Sequence, residues 1–217
     1  MSSEDSPIQN VVVKTTRPVI PFPPNEDREP IYTERLIIRP FAPEDLEDLR
    51  VLRTQPEVMQ WTYRGCVDKD MGETRERLDD NLGERAVNKY NFVIALRSTG
   101  EFIGCGGSHN YVSCFGWPEI GYMLKKEYWG RGLATEFLKG FLGRWKTLPR
   151  EEVEVEVDGR SVVRDEGGQV KEVMVGITEE RNGGSNGVLE KNGFERFGTW
   201  AERETLLAGW RVVVGER

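Results

Sequence analysis

The chain has a single histidine, His109, among 217 residues. That excludes a metal centre built from several imidazoles, and no HExxH, CxxC or GxSxG pattern occurs. The three cysteines, Cys66, Cys105 and Cys114, are an odd number without metal-ligand spacing, so no metal is expected. Their scarcity fits a reducing compartment. No apolar run approaches the ~20 residues of a membrane-spanning helix. The opening Met1-Ser-Ser-Glu-Asp-Ser6 lacks the basic and apolar regions of a signal peptide. A cytoplasmic protein with no membrane face is the expectation. Basic residues are in the minority, 30 against 37 acidic ones, giving a net charge of −7. A general nucleic-acid binder needs a basic footprint, so no nucleic-acid partner is expected. The acidic balance leaves room for cationic or amine ligands.

What is present is enough apolar sequence, 37%, for one domain with a full core and some extra segments. Residues 1–30 are polar and broken by Pro18, Pro21, Pro23, Pro24 and Pro30. They read as a flexible arm whose Val11-Val-Val13 docks locally. The domain proper is assigned to 31–217. Leu36-Ile-Ile38 suggests its first strand. Leu46, Leu49 and Leu52 recur at helical spacing after an acidic first turn. A second helix falls within 68–86. Residues 91–107 read as a hairpin turning at Ser98-Thr-Gly100. A strand over 119–124 leads through a glycine turn into a helix over 132–147, with an apolar stripe from Leu133 to Trp145.

Residues 150–170 look different. Glu151-Glu-Val-Glu-Val-Glu-Val157 alternates, Asp158-Gly159 marks a two-residue turn, and Ser161-Val-Val163 follows. This predicts an exposed acidic hairpin inserted before the strand at 173–177. A helix over 186–191 and two closing strands, 197–200 and 210–214, complete the chain. Neighbouring hairpins point to an α/β (α+β) fold, a mixed sheet with helices on its faces.

Gly130-Arg-Gly132 opens the longest helix, where backbone N–H groups are unpaired and the dipole end is positive. Such a turn suits a phosphate-bearing ligand. A Rossmann site would need a third glycine and a Walker loop Gly-Lys-Ser/Thr; neither is present. Asn182 and Ser185 sit at another helix start, where helix capping alone would account for them.

Three segments together resemble the GNAT N-acetyltransferase superfamily, especially its RimJ/RimL-like branch. These are Thr33-Glu-Arg-Leu with Asp45, Glu119-Ile-Gly-Tyr followed by Tyr128-Trp-Gly-Arg-Gly-Leu-Ala-Thr-Glu136, and Asn182-Gly-Gly-Ser185 followed by Leu189-Glu-Lys-Asn-Gly-Phe194. The resemblance implies a mostly antiparallel central sheet flanked by helices, with splayed strands at an acyl-CoA site. It implies that backbone groups near Met123 and Leu124 bind the pantetheine arm of acetyl-CoA. Trp129, Gly130, Arg131, Gly132, Leu133, Ala134 and Thr135 would then surround the diphosphate. By the same resemblance Asn182 contacts pantetheine and Ser185 lies near the thioester sulfur. Leu189 stands where many members carry a tyrosine acid, which leaves Ser185 or water for that role.

Aminolysis requires a group that takes the amine proton. Glu119 is the first candidate base, and His109, with its near-neutral titration, is the second; a structural ion pair would equally explain Glu119. Trp61 and Tyr63 are candidates to line an acceptor pocket or simply to pack. The implied activity is acetyl transfer from acetyl-CoA to a primary amine, on a protein N-terminus or a small molecule, by direct attack. The alternative is a non-catalytic acyl-CoA-binding or regulatory module. Monomer and homodimer both remain open.

Overall fold

Tyr90-Asn-Phe-Val-Ile-Ala-Leu96 is apolar at nearly every position, and the fold buries both of its faces. The computed structural model describes residues 9–215. In chain order the elements are β1 (Asn10–Pro18), β2 (Ile31–Tyr32), β3 (Leu36–Arg39), α1 (Leu46–Arg53), α2 (Pro56–Met59), α3 (Met71–Asp79), β4 (Tyr90–Leu96), β5 (Phe102–Asn110), β6 (Glu119–Leu124), α4 (Leu133–Lys146), β7 (Arg150–Asp158), β8 (Val173–Glu179), α5 (Gly183–Lys191), β9 (Glu195–Glu202) and β10 (Thr205–Val213). The central sheet is mostly antiparallel and flanked by helices. Among the described residues no helix is long and apolar enough to cross a membrane.

These residues form two compact units. The first comprises 20–109 and 121–144. Its strands lie in the order β2, β3, β4, β5, β6. Alternate residues of β4 point to opposite faces. Val93 and Ala95 join Leu46, Leu49 and Leu52 of α1 and Leu78 of α3 in one apolar cluster. Tyr90 and Phe92 meet the rings of α4, with Phe92 and Phe141 centroids 6.3 Å apart. Each fully buried Leu or Phe contributes roughly 1.5–3 kcal/mol, so this double burial anchors the unit. Buried Asp68 ties α1 to α3, accepting from Arg53 (2.7 and 2.9 Å) and from the Thr74 hydroxyl (2.9 Å).

The second unit comprises 9–19, 110–120 and 145–215. Antiparallel β8, β10 and β9 lie side by side, and the head of β6 joins β8 in parallel, Glu119 opposite Val175. Val13, Phe115, Trp117, Val157, Val173 and Val175 form its core. Phe115 makes edge contacts with Phe197 and Trp200, centroids 5.0 and 5.1 Å away.

The acidic segment departs from the expected hairpin. β7 pairs along its whole length with β1, from Asn10 opposite Asp158 to Pro18 opposite Arg150. After β7 the chain makes one 3-10 turn, Gly159–Ser161, capped by the buried Asp158 side chain. Residues 161–163 contribute no ladder; a single bridge, Arg164 opposite Val170, closes the loop. The cause is the longer β-branched run at 11–16, which no proline interrupts before Pro18. Its inward Val13 and Thr15 are buried, as is Val157 of β7, while Glu152, Glu154 and Glu156 face solvent. The expected flexible arm is therefore a paired strand over Asn10–Pro18. Its first eight residues lie outside the described residues.

Candidate functional site

The turn before α4 is built almost wholly from backbone. Lys126–Tyr128 forms a single 3-10 turn. The Trp129 amide donates to the Lys126 carbonyl (3.1 Å), and its indole N–H donates to the Leu124 carbonyl (2.8 Å). Trp129 N–H, one of the expected anion donors, is thus already engaged. Gly130 (φ +70°) and Gly132 (φ +74°) are left-handed, a conformation that costs other residues about 1–2 kcal/mol. A Cβ at Gly130 would meet open space, and one at Gly132 only Arg35 Nη2 at 3.6 Å. Conformation, not crowding, therefore calls for glycine here. The Glu136 amide is the first to bond back, to the Gly132 carbonyl at 3.1 Å. The amides of residues 130–135 have no acceptor among the described residues. Those of residues 132–135 are the four orphan donors of a helix start, at its positive dipole end, and those of 130 and 131 belong to the turn before it.

A clasp holds this turn in place. Glu136 accepts from the Thr33 hydroxyl (2.6 Å), the Arg35 amide (2.7 Å) and Arg35 Nε (2.6 Å). Arg35 Nη1 donates to the Arg131 carbonyl at 2.9 Å. Burial works to raise the Glu136 carboxyl, but the bonds from Thr33 and Arg35 prevail and hold it below its ordinary value. Thr33-Glu-Arg and Ala134-Thr-Glu are far apart in sequence, and the clasp joins them. Sequence reasoning noted both segments and missed the link.

β6 leads into this turn. Gly104 and Gly106 of β5 let it approach closely; a Cβ at Gly104 would sit 2.2 Å from the Met123 carbonyl. Gly121 has a similar role for His109, because a Cβ there would lie 2.9 Å from His109 Nδ1. The imidazole therefore rests directly on the glycine. Desolvation, and then the charge of Lys89, lower its pKa from the ordinary histidine value. Trp61 and Tyr63 follow α2, and Tyr63 is 86% exposed.

In the other unit Glu119 is half-buried at the head of β6, and burial raises its carboxyl to about 7. Asn182 caps α5, its side chain accepting from the Ser185 amide at 3.1 Å. Asn186 reinforces this start. Its Oδ1 accepts from Thr178 Oγ1 (2.6 Å), its Nδ2 donates to the Glu180 carbonyl (2.9 Å), and the Trp210 indole donates to Thr178 Oγ1 (2.9 Å). The sequence signal for this was a second asparagine four residues after the cap. Leu189 is buried, and a Cβ at Gly176 would lie 3.5 Å from both of its methyl groups. The side chain at the position where the resemblance implies a tyrosine acid is thus a core residue. Burial pushes the Cys105 thiol up to about 12 and the Cys114 thiol up to about 11, so neither is a thiolate at neutral pH.

Residues 35–195 match the family model described as an acetyltransferase (GNAT) domain. The chain is 29% identical over 143 residues to an uncharacterized N-acetyltransferase, p20, of Bacillus licheniformis, covering 63% of this chain and 78% of that protein. Among solved structures it is similar to a GNAT-family acetyltransferase from Bacillus anthracis. The TM-score is 0.65 at 20% identity, over 87% of this chain and all of that one. It is also similar to RimL, a ribosomal L7/L12 alpha-N-protein acetyltransferase in complex with coenzyme A. That TM-score is 0.59 at 18% identity, over 85% and 98% of the two chains. At such identities these two structures speak for the fold alone.

Proposed function

The chain belongs to the GNAT acetyltransferase family and is an acetyl-CoA-dependent acyltransferase, and from this we propose that it acetylates a primary amine by direct attack on the thioester. The observation that carries the donor assignment is the run of open amides at residues 130–135 beside two left-handed glycines. These groups suit a diphosphate, with the carbon-free approach that Gly130 and Gly132 allow. Arg131, Leu133, Ala134 and Thr135 belong to the same cradle. Met123 and Leu124 of β6 are assigned to the pantetheine arm, as are Asn182 and Ser185 by their match to the family pattern.

In the proposed reaction a C–N bond forms, the C–S bond breaks, the amine loses a proton and the thiol gains one. Glu119 is assigned the first proton transfer. Its value of about 7 places it near the working pH, where a general base is most effective. Ser185 is assigned to the sulfur side, since Leu189 has no proton to give. His109 is the second candidate base. The protonated Cys105 and Cys114 thiols support direct transfer over an acyl-cysteine route.

We place the chain in the RimJ/RimL-like branch, acting in the cytoplasm on a protein N-terminus or a small amine. The test is a thiol-release assay with acetyl-CoA over a panel of peptide N-termini and small amines. Acceptor-dependent release is expected. Tight CoA binding with no release on any acceptor would overturn the catalytic reading in favour of a binding module.

A further inference from the structure

The ladder between β1 and β7 fixes which way the backbone groups of β1 point. The Gly159 amide donates to the Gln9 carbonyl (2.8 Å) and the Val19 amide to the Pro149 carbonyl (2.9 Å), in the register that sets Val11 opposite Val157 and Val13 opposite Val155. Bonded pairs alternate along an antiparallel ladder, so the odd-numbered residues of β1 bond to β7. Asn10, Val12, Lys14 and Thr16 turn their N–H and C=O groups the other way. The ribbon has two strands, and among the described residues nothing pairs with those groups. At Thr16 the edge is closed in. The Thr16 hydroxyl donates to Glu172 (3.1 Å), and a Cβ at Gly215 would lie 3.5 Å from the same oxygen. From Asn10 to Lys14 the edge is open, and Val12 is 64% exposed. A cavity of about 480 Å³ adjoins this stretch, lined by Val11, Val12, Val13, Gly159, Val162 and Arg164. Three consecutive residues in its lining mean that it reaches the strand's backbone. An open, β-branched edge of this kind is a template for another strand.

Charge says which strand. Val12 lies opposite Glu156, Lys14 opposite Glu154 and Thr16 opposite Glu152, and these side chains share the outer face of the ribbon. The ion pairs at its ends, Arg150 with Glu172 and Arg160 with Asp158, leave the three glutamates out. Lys14 is the one cation set among them. A long basic side chain opposite Val12 reaches across the valine to Glu156. We propose that the Asn10–Lys14 edge binds an extended segment of a partner protein in which basic and β-branched residues alternate. Its basic side chains lie over the glutamates, and its β-branched ones turn inward to the valine-lined cavity. Directly opposite residues of an antiparallel pair share a face, so the amides of the basic residues are the ones that bond to β1. A second copy of this chain is the poorer match. It offers one lysine for three glutamates and brings with it the packed core beneath its own β1.

The probe is a labelled Lys-Val-Lys-Val-Lys-Val peptide, blocked at both ends and followed by fluorescence anisotropy on the full chain without acetyl-CoA. Saturable binding is expected, and the same peptide with glutamate for each lysine should bind about tenfold or more weakly. Added salt should shrink that difference, and so should Glu154→Gln combined with Glu156→Gln. N-methylation of the lysine amides should lower affinity by about tenfold or more, whereas N-methylation of the valine amides should leave it within about threefold. Val12→Pro removes an N–H that points away from β7, so it should abolish binding without breaking the β1–β7 ladder. If that variant fails to fold, the two methylated peptides decide on the wild-type chain. Equal effects of the two methylations would overturn the proposal, as would equal binding of the lysine and glutamate peptides, or no binding of either. A concentration-dependent dimer with no peptide binding would give the edge to a second copy and also overturn it. The donor reading is untouched by any of these results.

Discussion

Two helices in this chain begin in opposite ways. α4 starts after two left-handed glycines, and the amides of residues 130–135 find no acceptor among the described residues. α5 starts with Asn182 capping it and Asn186 bound on both sides. Both starts carry the same dipole and the same number of orphan donors by construction. They differ in how far those donors are already answered: at α5 the Asn182 and Gly183 amides bond to the Glu179 and Arg181 carbonyls, and the Ser185 amide to the Asn182 side chain. Donors left open at the rim of a turn are available to an anion, whereas donors answered internally serve stability. The proposed anionic ligand belongs at α4, and Asn182 has a structural duty as the cap of α5 whatever else it contacts.

The sharpest way to break this contrast is to place a charge at each start. Gly132→Asp introduces a carboxylate, and a strained φ, beside the open amides. CoA affinity should fall by about a hundredfold, from like-charge repulsion plus the backbone cost. Gly183→Asp at α5 meets open space, and CoA affinity should change by less than about threefold. Titration calorimetry on both variants reads the difference; equal losses would erase the distinction.

The next largest effect concerns Glu119. Its raised pKa means that below pH 7 it is protonated and cannot accept a proton. Activity of the wild-type chain should therefore climb as pH passes about 7. Glu119→Gln should lower kcat by about a hundredfold and flatten that climb. His109→Gln should leave the midpoint in place. A midpoint that moves with His109 instead would transfer the role to the histidine.

Linkage gives Glu119 a second signature. The unfolded carboxyl ionises near its ordinary 4.5, the folded one near 7. Between those values the folded state holds the extra proton, so stability declines as pH rises through the window. Glu119→Gln should remove that slope in denaturant melts recorded from pH 4.5 to 7.

A smaller effect is expected from Asn182→Ala, which removes the α5 cap. Loss of such a cap costs about 1 kcal/mol, to be read as a lower denaturation midpoint. An unchanged midpoint would mean that the cap contributes nothing to stability.

Local patterns made much of the fold legible. β6 spans Glu119–Leu124, matching the expected strand over 119–124, and α4 runs Leu133–Lys146 against an expected 132–147. Both are set by residues within one strand or a few turns. The β1–β7 ribbon was not legible, because its partners are separated by more than a hundred residues and nothing local names the pairing. Asp158-Gly159 is a good hairpin signal, yet the competing valine run at 11–13 provides a longer ladder. At the candidate site, backbone features were readable and side-chain links were not. Glycine spacing announced the open turn. The clasp of Glu136 with Thr33 and Arg35 depends on how β3 and α4 pack, which no single segment encodes. Burial of Glu119 likewise belongs to the assembled fold and not to its neighbours in sequence.

The proposed donor site at α4 depends on the open amides, and a backbone amide NMR titration with CoA reports on them one by one. The resonances of residues 130–135 should shift strongly while the Trp129 amide, already bonded to Lys126, shifts less. Saturating CoA that leaves residues 130–135 unmoved would contradict a donor site at this turn.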